Sequence, residues 1–95
     1  MEKFIVELIG VFTKKDLPED YQQFLDFRVN IENKELTDKD KIAVLRIKNT
    51  TSYHILFLDS YSSMDEIDKE IEESLDGKIY NFNTRKILEG HINAE

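Results

Sequence analysis

The chain is predicted to take an α+β fold: an antiparallel sheet of about five strands with two helices on one face, ferredoxin-like (βαββαβ) in order with an extra strand. Three observations predict it. Lys41 to Asn49 and Ser52 to Ser60 are rich in β-branched and aromatic residues and flank the turn formers Asn49, Thr50, Thr51 and Ser52, the pattern of an antiparallel hairpin. A single acidic amphipathic helix follows, between Ser63 and Gly77. Strand-like runs stand at both ends of the chain. One domain over residues 1–95 accommodates all of this.

In order, Lys3 to Thr13 reads as a strand. Phe4, Val6, Leu8 and Phe12 share a face with Gly10, and Ile5, Ile9 and Val11 line the other with Glu7. Apolar residues on both faces predict a central strand. Asp16-Leu17-Pro18-Glu19-Asp20 reads as a helix start, with Pro in the first turn and acids where the helix dipole favours them. Two periods then compete. Leu17, Tyr21, Phe24, Leu25 and Arg28 keep a helical spacing, while Leu25, Phe27, Val29 and Ile31 alternate with Asp26, Arg28, Asn30 and Glu32. The alternation predicts a short helix to Gln23 or Phe24 and a one-faced strand to Glu32. Asn33 to Asp40 is polar and reads as a surface loop.

In the hairpin, Ala43, Leu45 and Ile47 share one face of the first strand. In the second, Tyr53, Ile55 and Phe57 oppose His54, Leu56 and Leu58, so this strand is apolar on both faces and is expected at the centre of the sheet. Ser63-Met64-Asp65-Glu66 fits a capping box, Met64, Ile67, Ile71 and Leu75 form one apolar stripe, and Gly77 suits the end of the helix. The stripe is expected to lie on the sheet face carrying Phe57 or its neighbours. Lys78 to Phe82 reads as a strand, Asn83-Thr84-Arg85 as a turn, and Lys86 to Ile92 as a returning strand. With both helices on one face, the other sheet face would stay open. It would carry Ile5, Ile9 and Val11, and a homodimer through it is expected.

Composition narrows the chemistry. There is no Cys, which excludes disulfides, thiolate metal sites and thiol nucleophiles. No apolar run approaches membrane-spanning length, and the charged first residues do not form a signal peptide, so a cytoplasmic location is expected. Gly10, Gly77 and Gly90 are isolated and make no phosphate loop. Thirteen scattered Lys and Arg in a chain of net charge −7 leave no footprint for direct nucleic-acid binding.

The remaining candidates are few. His54 lies in an apolar strand without an orienting group and reads as a partly buried histidine bonded to a neighbouring strand. His91 is weaker still. Asp38 and Asp40 lack the length and central Gly of a calcium loop. Asp59 ends a strand, where a magnesium ligand of a nuclease could stand, but no motif supplies a second carboxylate. A small-molecule sensor with a pocket between helix and sheet has no residue to support it. No enzyme, metal or cofactor is expected.

The acidic helix carries the functional expectation. Asp65, Glu66, Asp68, Glu70, Glu72, Glu73 and Asp76 stand against Lys69 alone, −6 within a chain of −7. A solvated face explains most such runs. This one, however, sets Glu66–Glu70 and Asp68–Glu72 at i, i+4, each pair unfavourable by about 0.2–0.5 kcal/mol. The expected function is therefore a small non-catalytic protein that binds a basic protein surface through Asp65, Glu66, Asp68, Glu70, Glu72 and Glu73. In its sharpest form it is a phage or mobile-element inhibitor that mimics nucleic-acid charge on a nucleic-acid-binding protein. The alternatives are a homo-oligomeric regulatory module and a metal-dependent nuclease.

Overall fold

The structure, a computed structural model, describes residues 5–75 and 81–92. Among these residues it is an α+β fold with a three-stranded antiparallel sheet and three helices. In chain order these are β1 (Val6–Phe12), α1 (Gln22–Glu32), β2 (Ile42–Ile47), β3 (Tyr53–Phe57), α2 (Met64–Leu75) and α3 (Phe82–Ile92). Single 3-10 turns, Glu19–Tyr21 and Leu58–Ser60, precede α1 and follow β3. The strand order is β1-β2-β3.

Residues 25–32 are helical and not a strand. Pro18 precedes the 3-10 turn that runs into the helix, Gln22 donates to Asp26 at 3.1 Å, and Arg28 pairs with Glu32 at 3.1 Å. These i, i+4 contacts exist only in a helix. Asn33 ends it at φ 50°, the left-handed conformation that Asn tolerates better than most residues. Leu25 is buried and Val29 packs beside it, as either period requires. The helix leaves the alternation's other apolar members outside: Phe27 is 68% exposed and Ile31 59%.

The central strand is β2, not β1 or β3. Ile42, Ala43, Val44 and Leu45 are all buried, because helices cover both sides of the sheet. On one side, Leu17 and Leu25 pack on Ile42, Val44, Ile55 and Phe57. On the other, Met64, Ile67, Ile71 and Leu88 pack on Val6, Ala43, Leu45 and Leu56. Among the described residues the predicted open face is therefore not present. The apolar pattern of β3 reflects two covered faces at an edge, and it cannot be told from a central position by sequence alone. The stripe of α2 meets Leu56 and Leu58, while Phe57 faces α1. The side chain of Leu75, Gly77 and the predicted strand residues Lys78 to Tyr80 lie outside the described residues.

The last predicted strand is also a helix. Asn81 Oδ1 accepts the backbone N–H of Asn83 at 3.1 Å and of Thr84 at 3.3 Å, capping α3 where a turn was expected. Thr84 then reaches the sheet: its Oγ1 accepts the N–H of Leu8 at 3.2 Å. That N–H points away from β2, so α3 occupies part of the free edge of β1. The register of β1 on β2 shifts between Leu8 and Gly10. A Cβ on Gly10 would come within 2.6 Å of the Phe12 ring, so a side chain beside the bulge would require that ring to move.

Candidate functional site

The acid face of α2 starts from a well-formed cap. Ser63 Oγ accepts the N–H of Glu66 at 3.4 Å, and Glu66 Oε2 accepts the N–H of Ser62 at 2.6 Å. This is a capping box displaced by one residue on its return arm. With the helix phased from Ser63, Met64, Ile67 and Ile71 enter the core, and the carboxylates are sorted around the remaining circumference.

The six predicted site residues do not form one free surface. Glu70 turns inward and is held by Arg28 of α1; the two side chains are 23% and 17% exposed. Asp68 is held by Arg85 of α3, whose other guanidinium nitrogen lies 3.7 Å from Asp65. Glu66 is committed to the cap. Glu72 and Glu73 are exposed, as is Asp65, whose side chain retains 94% of its accessibility. The outward acid surface is therefore Asp65, Glu66, Glu72 and Glu73, while Asp68 and Glu70 tie α2 to its neighbours. Arg28 and Arg85 were missed as members of the site. Arg28 fell in a presumed strand and Arg85 in a presumed turn, so neither had a helix from which to reach α2.

Arg28 and Glu70 come from opposite sides of the sheet. Their pair passes round its β3 side, where His54 lies on the α2 face of that strand. His54 Nε2 is buried without a hydrogen-bond partner, as are Arg28 Nε and Glu70 Oε2 among the described residues. The expected bond from His54 to a neighbouring strand is not made through this nitrogen. Burial, and then the positive charge of Arg28, lower the His54 pKa to about 4, so the ring is neutral at pH 7. Burial pushes the Glu70 carboxyl up, opposed by Arg28, while Glu32 and Glu73 reinforce the rise. The hydrogen bond that Arg85 donates to Asp68 is the main cause of the raised Arg85 pKa.

The other candidates have structural partners. Asp59 Oδ2 accepts the N–H of Lys41 at 3.0 Å and closes the open end of the hairpin. Asp40 Oδ2 accepts the N–H of Thr37 at 2.7 Å within the loop. Among the described residues, no three His, Asp or Glu side chains stand close enough to hold a metal ion. The space lined by α2, α3 and the sheet is a void of about 10 Å³, room for one water and not for a small-molecule ligand. No described helix is long and apolar enough to cross a membrane.

Two proteins are similar to this chain. Uncharacterized protein MJ0858 of Methanocaldococcus jannaschii is 31% identical over 91 residues, which span 95% of this chain and 79% of that protein. MTH1880 of Methanobacterium thermoautotrophicum, whose structure is a minimized average, is 49% identical over 95% of this chain and 99% of its own, with a TM-score of 0.40. Residues 4–92 match the family described as a domain of unknown function, DUF749, and the chain belongs to that family.

Proposed function

We propose that the protein is a non-catalytic binding module whose outward acid surface on α2, formed by Asp65, Glu66, Glu72 and Glu73, engages a basic surface on a partner protein. The observation that carries the reading is the division of labour on this helix. Arg28 pairs with Glu70, and Arg85 with Asp68 and, at 3.7 Å, with Asp65, yet Asp65, Glu66, Glu72 and Glu73 all stay exposed with Lys69 as the one cation within the helix. Solubility alone could be served by interleaved Lys and Glu with fewer like-charge neighbours. The sharper idea of a nucleic-acid mimic is less favoured, because neutralising Asp68 and Glu70 interrupts the row of charges that such a mimic would present.

Comparative capture from a lysate of the source organism tests the proposal. Wild type and Glu72→Lys/Glu73→Lys serve as baits, with retained proteins quantified by mass spectrometry. A protein with a basic surface should be retained by wild type, lost from the reversed variant and released as salt rises from low to physiological levels. Equal retention by both baits would reject the acid surface as the contact.

A second reading rests on Phe27 and Ile31, one turn apart and exposed on α1. With both sheet faces covered, this reading puts self-association on that pair and not on a sheet face. Sedimentation of wild type beside Phe27→Ser/Ile31→Ser distinguishes it. A concentration-dependent dimer abolished by the double variant supports the second reading, and a monomer at high concentration removes it.

A further inference from the structure

We propose that the Arg28–Glu70 pair is a strap that keeps the outer edge of β3 closed to a second copy of this chain, and that β3 pairs antiparallel with its own copy about Ile55 once the strap is broken. The two edges of the sheet are managed differently. The edge of β1 carries a bulge between Leu8 and Gly10, and Thr84 of α3 takes up the Leu8 N–H at 3.2 Å. Among the described residues β3 has neither: its register on β2 runs without a bulge, and no further strand stands beside it. Ile47 N–H donates to Ser52 O at 3.3 Å and Leu58 N–H to Lys41 O at 3.0 Å, so residues 52, 54, 56 and 58 face β2. The alternation of an antiparallel pair then turns the N–H groups of Tyr53, Ile55 and Phe57 outward.

The strand itself holds nothing against pairing. Tyr53-His54-Ile55-Leu56-Phe57-Leu58 contains no Asp, Glu, Lys, Arg, Pro or Gly. A run so apolar, and uncharged at neutral pH, pairs with its own copy when its edge is open. Antiparallel about Ile55, it sets Ile55 against Ile55 and Tyr53 against Phe57, pairs that stabilise a ladder. What lies across this edge is α1 and its tie. Phe24 packs on Tyr53 with ring centroids 5.2 Å apart, and Lys34 Nζ stands 5.5 Å from the centre of the Phe57 ring. The helix thus runs along the strand, and Arg28, between Phe24 and Lys34, falls near its middle, where its charge bears on His54. From there Arg28 reaches round the edge to Glu70 of α2, and both side chains are largely buried. A second strand needs the space that these two side chains fill.

Glu70→Ala opens the strap while Arg28 keeps Glu32, 3.1 Å away on its own helix. Arg85→Ala is the control, since it breaks the tie of α2 to α3 and leaves Arg28–Glu70 in place. Sedimentation velocity and amide exchange at pH 7 read the result. Glu70→Ala should form a concentration-dependent species larger than wild type, in which the Ile55 and Phe57 amides exchange about tenfold more slowly. Arg85→Ala should sediment as wild type does. A Glu70→Ala protein that sediments like wild type at high concentration would overturn the strap. So would a larger species whose Ile55 and Phe57 amides exchange no more slowly than in wild type, because the contact then lies elsewhere. Equal association of Arg85→Ala would overturn it too, because loosening α2 would then suffice. If Glu70→Ala does not fold, Arg28→Met, read in the same two measurements, decides between the same outcomes.

Discussion

Ile71 and Ser63 show what single residues contribute to α2. Ile71 is buried with Ile67 and Met64 against the sheet, so Ile71→Ala should cost about 2–5 kcal/mol in denaturant unfolding. Ser63→Ala removes the hydroxyl that accepts the Glu66 N–H and should cost about 0.5–2 kcal/mol. His54 predicts a pH dependence of stability. Unfolded, its ring titrates near pH 6.5; folded, at about 4. Between those values the unfolded chain holds a proton that the folded chain does not. Stability is thus complete above pH 6.5, falls as pH drops, and stops falling on this account below about 4, a loss of about 1–3 kcal/mol. Glu70, whose carboxyl is raised, acts in the opposite direction and reduces the loss. Unfolding of wild type and His54→Gln at pH 7 and pH 4.5 should show a smaller acid loss in the variant. Ser63 and the apolar stripe were readable in the sequence because caps and periodicity are local. The surroundings of His54 were not, because they come from burial under distant elements and from Arg28, which a separate helix brings to bear on the ring.

Among the elements, α2 and the hairpin were legible and α1 and α3 were misread. Leu25, Phe27, Val29 and Ile31 alternate like a strand, but the chain resolves the conflict in favour of the helix and leaves Phe27 and Ile31 exposed. Local contacts at i, i+4 decided between two patterns that bury Leu25 equally well. In α3 the sign available was Asn81, whose side chain caps the first turn. Thr84 makes that helix part of the sheet edge. Thr84→Val keeps the shape but leaves the Leu8 N–H without its acceptor, so it should cost about 1–3 kcal/mol in the same unfolding assay. On α2, Glu72→Lys relieves the repulsion from Asp68, while Glu73→Lys creates one with Lys69. The double variant should therefore stay within about half a kcal/mol of wild type. Any larger loss of binding by it then belongs to the surface and not to the helix.

At the scale of the whole molecule, three helices cover both faces of a three-stranded sheet among the described residues, where the open face predicted from strand order is not found. Strand order is a long-range property. An edge strand under two helical layers has the same apolar pattern as a central one, which is why β3 was misplaced. The acid excess was visible from composition, but its partition was not. Arg28 takes up Glu70 in a half-buried pair and Arg85 pairs with Asp68 at the surface, leaving Asp65, Glu66, Glu72 and Glu73 exposed. The direct measurement of whether that outer surface binds is an amide-shift titration of the protein with a captured partner at low and at physiological salt. The perturbed amides should centre on Asp65, Glu66, Glu72 and Glu73, and the affinity should fall steeply as salt rises. Perturbations centred instead on Phe27 and Ile31 of α1, with an affinity indifferent to salt, would contradict the acid surface as the binding site.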